Sequence, residues 1–326
     1  MKYVLWYSVP FIGKKSTIWS KFRDKILYVR EDLGAGVLDP RFEEVRDYLI
    51  STYEKALLEW DVDGFKLDFV DDFKLPEGSK NFLTENSGRD YESLQEAVDR
   101  LLTDVMRRLK KIKPDIMIEF RQKYIGPYMR KYGNMFRVED CPAGYIDNRV
   151  GILDLRLLSG NTAVHSDMLM WSPEDSVEHA ALQMINVLFG VPQISIRHMD
   201  FPVEHLEMVR YWLGFWMKNR EILLDGKLKP LFPDMQYPIV IAENNGDVII
   251  AVYGDMVIEI VENFNKMIIV NGAMLDRFVL KIKKDLGNKR LAKYDCCGNL
   301  MEESIIFIDE GLMEIEIYKS GLVILQ

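Results

Sequence analysis

Over residues 1–225, short apolar runs alternate with segments in which apolar residues recur every three or four positions; after about residue 230 the pattern changes to alternating β punctuated by turns. The runs at 4–8, 65–69, 116–120, 135–138, 163–168 and 193–196 are rich in β-branched and aromatic residues and predict buried strands, with a further short one at 36–38. Between them, DPRFEEVRDYLISTYEKALLEW predicts a helix capped by Asp39 with Pro40 in its first position. Its apolar residues Val45, Leu49, Tyr53 and Leu57 fall on one face. DYESLQEAVDRLLTDVMRRLKKI repeats the pattern through Leu94, Val98, Leu101, Val105 and Leu109, and residues 174–190 and 204–223 predict two more helices.

Alternating strands and helices imply an α/β fold, a parallel sheet covered by helices. Polar residues gather at the carboxyl ends of the strands: Asp68, then Glu119 and Arg121, Glu139 and Asp140, His165 and Asp167. A (β/α)8 TIM-type barrel builds its chemistry at that face from several strands. A doubly wound sheet would carry a glycine-rich phosphate loop after its first strand, and the sequence has none there. The segment YPIVIAENNGDVIIAVYGDMVIEIVENF, with Asn-Gly and Gly-Asp turns, opens an antiparallel β-sandwich that continues to the C-terminus. The expected organisation is a catalytic barrel over 1–228 and a C-terminal β-sandwich over 229–326. Six or seven candidate strands fall short of the eight of a closed barrel, and the chain opens inside a strand, so the first barrel strand is expected to be missing.

Bulk chemistry narrows the function classes. The 326 residues are 48% hydrophobic and 29% charged, with a net charge of −9, which disfavours nucleic acid as a partner because binding phosphate needs a basic face. No apolar run is long enough to cross a bilayer, and MKYVLWYSVPFIGKK, interrupted by Ser8 and Pro10, reads as a buried strand rather than a leader. No membrane association is expected, and the location is expected to be cytoplasmic. Cys141, Cys296 and Cys297 make neither a disulfide framework nor a metal spacing. His198 and His205 read as ordinary surface or core residues, and His165 with Asp167 lacks a third ligand, so no metal and no cofactor is expected.

Within DVDGFKLDFVDDF, Asp68 lies in an apolar strand with Lys66 two residues earlier on the same face. A strand-end Asp commonly caps the following loop. Here, however, a second acidic strand end, FRVED, follows, and paired carboxylates from different strands at one barrel mouth suit glycoside hydrolysis. The aromatics of VRYWLGFW sit at helical spacing and read as packing rather than a sugar platform. Arg197 and Asp200 read as an ion pair at the rim.

DGFKLDF resembles the nucleophile strand of the clan of retaining α-glycosidases that unites families 36, 27 and 31, which share a Lys-x-Asp there. VLWYSVP and GVLDPRFEEVRDYL resemble family 36, the α-galactosidases, over roughly residues 1–225. The resemblance implies Asp68 as nucleophile, Asp140 in FRVEDCPAGYIDNR as acid/base, Lys66 as a sugar-hydroxyl ligand and Trp6 as a pocket wall. Glu139 competes with Asp140, since alternation lets only one of the two enter the site. Glu119, Arg121, Arg137, His165, Asp167 and Trp171 complete the candidate substrate contacts. The family normally carries a cysteine where Arg121 stands in IEFRQKYIGPY; a guanidinium there could read a differently substituted or anionic sugar. The seven candidate strands then number as the second to eighth of the barrel.

The implied activity is a retaining α-glycoside hydrolase, in the first place an α-galactosidase, acting on an α-linked oligosaccharide or glycoside. The rivals are an α-glucosidase, α-xylosidase or α-N-acetylgalactosaminidase of the same clan, or an inactive carbohydrate-binding relative or fragment that needs a partner chain. Family members are often oligomers, which implies a homo-oligomer.

Overall fold

The computed structural model describes residues 2–75, 88–121, 125–260 and 264–326. The chain forms two compact units, Met1–Arg137 with Leu158–Ala163, and Val138–Leu157 with Val164–Gln326.

The first unit contains β1 (Val4–Ser8), β2 (Phe11–Gly13), α1 (Trp19–Phe22), β3 (Ile26–Arg30), β4 (Ala35–Leu38), α2 (Glu43–Trp60), β5 (Gly64–Asp68), α3 (Leu94–Ile112), β6 (Met117–Arg121) and β7 (Met135–Arg137). Four of these strands run parallel in the order β1, β5, β6, β7. Helices α2 and α3 bury Val45, Leu49, Tyr53 and Leu57, and Leu94, Leu101, Val105 and Leu109. The Phe65 ring lies 5.8 Å from both Tyr7 and Tyr53, so the outward face of β5 is sealed in an aromatic layer. Ser93 caps α3 by accepting from the Glu96 amide, the arrangement a Ser-x-x-Glu start favours.

Two expectations change here. Helix α2 begins at Glu43, with Phe42 rather than Asp39 at the N-cap. The Asp39 carboxylate is instead fully buried and accepts from the Arg41 amide at 3.0 Å, the Arg41 guanidinium and Arg89 Nε, a set of charged donors that outcompetes a cap. Residues 36–38 do form a strand, but β4 pairs antiparallel with β2 and β3 in a separate three-stranded sheet inserted after β1. A short apolar run buried on both sides carries no signal of strand direction.

Gly64 opens β5 and pairs with Met117 of the parallel neighbour β6. A Cβ there would lie 2.2 Å from the Met117 carbonyl oxygen and 2.6 Å from Met117 Cβ, so only glycine lets the strands close. Gly64→Ala is expected to destabilise the chain by ~3 kcal/mol, read as a lower urea midpoint with an unchanged m-value.

The second unit contains α4 (Tyr145–Ser159), β8 (Ala163–Leu169), α5 (Val177–Ile185), β9 (Val191–Ile194) and α6 (Val203–Lys218), with β8 and β9 parallel. A π-helical turn over Glu221–Asp225 leads into β10 (Lys227–Leu231), β11 (Ile239–Asn244), β12 (Asp247–Val252), β13 (Val257–Glu259), β14 (Lys266–Asn271), β15 (Arg277–Ile282), β16 (Gly287–Tyr294), β17 (Leu300–Ile308), β18 (Gly311–Glu316) and β19 (Leu322–Leu325). These make a seven-stranded sheet in the order β10-β11-β12-β14-β19-β16-β17 and a three-stranded sheet β13-β15-β18. Ile250, Met267, Ile269, Val323 and Leu325 meet Phe278, Leu280 and Ile315 in the core between them. The sandwich is mixed rather than purely antiparallel, since β12 pairs parallel with β14 and β13 with β15.

Helix α4 was not expected. Its buried side carries Asn148 and Arg149 beside Ile152, Leu153 and Leu155, which blurs the apolar period. Later in α4, Arg156 donates to three carbonyl oxygens, Phe189 at 3.0 Å, Leu223 at 2.5 Å and Leu224 at 2.6 Å. These carbonyls belong to the chain just beyond α5 and to the π-helical turn. Trp212 and Phe215 of α6 are buried as core, while the rim pair Arg197–Asp200 forms at 3.7 Å. Among the described residues, no helix is long and apolar enough to cross a membrane.

Candidate active site

The parallel register fixes which side chains of the first unit share a face. Trp6 pairs with Lys66, Ser8 with Asp68, Lys66 with Glu119, and Arg121 with Arg137. Paired residues in neighbouring parallel strands point the same way, and positions two apart along a strand do too. Trp6, Lys66, Asp68, Glu119, Arg121 and Arg137 therefore converge on one face, opposite the apolar Phe65 and Leu67.

Asp68 ends β5 and is 5% exposed. Its Oδ2 accepts from Trp6 Nε1 at 3.1 Å; its Oδ1 accepts from the Phe69 amide at 2.8 Å and lies 3.2 Å from Arg121 Nη2. Donors from three segments thus fix the direction of one carboxylate, which burial would otherwise penalise. Phe69 makes its contact possible by adopting a left-handed backbone, φ 63°. A bulky residue rarely sits there, so the turn needs surrounding support. That support is its ring, which is packed by Trp6 at 6.2 Å and Phe11 at 5.3 Å, with the Arg121 guanidinium 5.4 Å away. Trp6 itself is half exposed and presents an apolar wall beside the carboxylate. Glu119 and Arg137 are buried, at 5% and 3% exposure.

A neighbouring group escaped sequence reading. Asp72, just past Asp68, is buried and receives Tyr28 Oη on its carbonyl at 2.9 Å and Arg30 Nη1 on its carboxylate at 3.0 Å. Burial, and then Asp72 itself, push the Tyr28 phenol up to about 12, so it stays a donor across the neutral range. The signal available was the spacing of Tyr28 and Arg30 on one face of β3.

In the second unit, Glu139 and Asp140 follow β7 in an exposed turn. The Val138 amide donates to the His165 carbonyl at 3.1 Å, and the Cys141 amide donates to Asp167 Oδ2 at 2.6 Å. Asp167, 1% exposed, therefore anchors the backbone next to Asp140, and its own amide donates to Asn148 Oδ1 at 2.7 Å. His165 Nδ1 accepts from Gln193 Nε2 at 3.1 Å. Trp171 donates its indole N–H to His205 Nδ1 at 3.1 Å and packs edge-on against Phe201. Fully buried His205 also contacts the Asp175 carbonyl through Nε2 at 3.1 Å, a core histidine with both nitrogens engaged. Among the described residues no cluster of three or more His, Cys, Asp or Glu side chains could hold a metal ion.

No protein-family model matches the chain, and no curated protein matches it in sequence. Solved structures do match in fold. A GH36 α-galactosidase from Geobacillus stearothermophilus superposes with a TM-score of 0.62 at 14% identity, over 100% of this chain and 45% of that one. A variant of that enzyme, in complex with raffinose, gives 0.59 at 12%, over 100% and 45%. A maltogenic α-amylase from Thermotoga neapolitana gives 0.61 at 11%, over 100% of this chain and 77% of that one. The chain spans less than half the length of the α-galactosidase chains it matches. At such identities the likeness establishes architecture alone: parallel α/β followed by a β-sandwich.

Proposed function

We propose that the chain is a retaining α-glycoside hydrolase, an α-galactosidase in the first instance, acting on a terminal α-linked sugar from a TIM-type barrel over 1–228. In the first step an Asp68 oxygen bonds to the anomeric carbon as the bond to the leaving oxygen breaks, and Asp140 gives that oxygen its proton. In the second step water gives its proton to Asp140 and attacks the same carbon, the bond to Asp68 breaks, and the sugar leaves with its α configuration retained. Lys66 and Trp6 hold the sugar, with Glu119, Arg121, Arg137, His165, Asp167 and Trp171 around it. The observation that carries the reading is the Asp68 carboxylate, buried at a strand end and aimed by Trp6, Phe69 and Arg121. The carbohydrate-bound neighbour supports a saccharide substrate. The Arg121–Asp68 pair favours one second reading, a clan member whose sugar carries a different substituent from galactose.

Intact mass and peptide mapping after incubation with α-configured mechanism-based inactivators test the reading. A galactose-type adduct on Asp68 is expected. An adduct from another sugar keeps the mechanism and moves the specificity. No adduct from any sugar, on a chain that melts cooperatively, sinks the proposal.

A further inference from the structure

A cleft of about 600 Å³ lies in the second unit between α6 and the outer face of the seven-stranded sheet. Its helix wall is the stripe Arg210, Gly214, Lys218, spaced by four residues. Its floor is a cross-strand row, Ile268–Ile324–Ala292, flanked by Lys266, Arg290 and Gln326 at one end and Tyr294 with Leu322 at the other. The lining holds four cations and no Asp or Glu side chain, on a chain whose net charge is −9. Lys266 pairs with Asp247 at 3.2 Å and Arg290 with Glu303 at 2.6 Å. Among the described residues, Arg210 and Lys218 have no ion pair.

Two small residues open the cleft. A Cβ on Gly214 would meet nothing within 4 Å, and Ala292 lies on the floor row. Glycine inside a helix costs roughly 1 kcal/mol against alanine, so the open space is bought against helix stability. One tyrosine wall is rigid: a Cβ on Gly298 (φ +85°) would lie 2.1 Å from the Tyr211 ring. The Gly298 turn is itself held by the Asp295 carboxylate, which accepts from the Cys297 and Asn299 amides at 2.9 and 2.8 Å.

We infer that this cleft is a second ligand site, and that its ligand is an anionic saccharide of one or two residues. The cations supply charge complementarity, the Tyr294 ring offers a face for sugar C–H groups, and the Gln326 amide suits hydroxyls, while Asn219 is spent on the Phe215 carbonyl at 2.8 Å. The volume falls in the range of small-ligand pockets. The site is separate from Asp68 and does not depend on the chemistry proposed there.

Calorimetric titration of the full chain with α-linked digalacturonate, beside neutral galactobiose and inorganic sulfate, tests the inference. Digalacturonate is expected to bind at least about tenfold more tightly than either control, and more weakly as salt rises. Gly214→Leu fills the space and should abolish that binding while holding or raising the melting temperature. Arg210→Gln with Lys218→Gln should weaken binding about tenfold without altering the fold. Four results would overturn the site: no digalacturonate binding, affinity unchanged in Gly214→Leu, equal binding of galactobiose, or equal binding of sulfate. Inactivator labelling at Asp68 is read separately, so either proposal can fail alone.

Discussion

Replacing Asp68 with asparagine is expected to lower glycoside turnover by about four orders of magnitude or more, about 5 kcal/mol of lost transition-state stabilisation. The substitution keeps the shape of the side chain and an oxygen that can accept from the Phe69 amide or Trp6 Nε1. It removes the charge opposite Arg121 and turns one acceptor into a donor, which costs a further 1–3 kcal/mol or so of stability. Activity against an α-galactoside, with a parallel denaturation curve, checks both effects. A chain that still unfolds cooperatively and has lost turnover fits a nucleophile. If the variant fails to fold, Asp68 is a structural anchor, and unchanged turnover would remove it from the mechanism.

Asp140→Ala is expected to cost roughly 10²–10⁴-fold in turnover of substrates with poor leaving groups. Loss should be slight in the first step for activated aryl glycosides, whose leaving oxygen needs no proton. Added azide should then rescue the second step and give a glycosyl azide of retained configuration, because an anion attacks without a general base. Glu139→Ala is the paired control. The same pattern in Glu139→Ala, with Asp140→Ala unaffected, would exchange their roles; the pattern in neither would leave FRVED outside the chemistry.

The parallel strands were legible because each is an apolar run bounded by polar residues, and all six begin and end within about two residues of the expected positions. Strand direction was not legible: AGVL at β4 is buried at every position, so its pairing with β2 and β3 depends on partners distant in sequence. The same limit applies to the sandwich, where β12 and β14 are apolar runs buried at every position after the first, and nothing in either run marks their parallel pairing. Helix α4 was obscured by the polar residues it buries, Asn148 and Arg149. At the candidate site, alternation alone put Lys66 and Asp68 on one face, and register adds Trp6, Glu119, Arg121 and Arg137. The left-handed turn at Phe69 had no sequence signal, because phenylalanine has no preference for that conformation; packing by Trp6 and Phe11 stabilises it.

Arg156 links carbonyls that lie more than thirty residues apart in sequence, Phe189 on one side and Leu223 and Leu224 on the other. Lysine could not replace it, since an ammonium lacks the planar fork that spans them. Segments joined through one guanidinium open together rather than separately. The amides around 186–190 and 221–225 should therefore exchange with solvent deuterium as one cooperative unit, with a common opening free energy, and Arg156→Lys should split that unit in two.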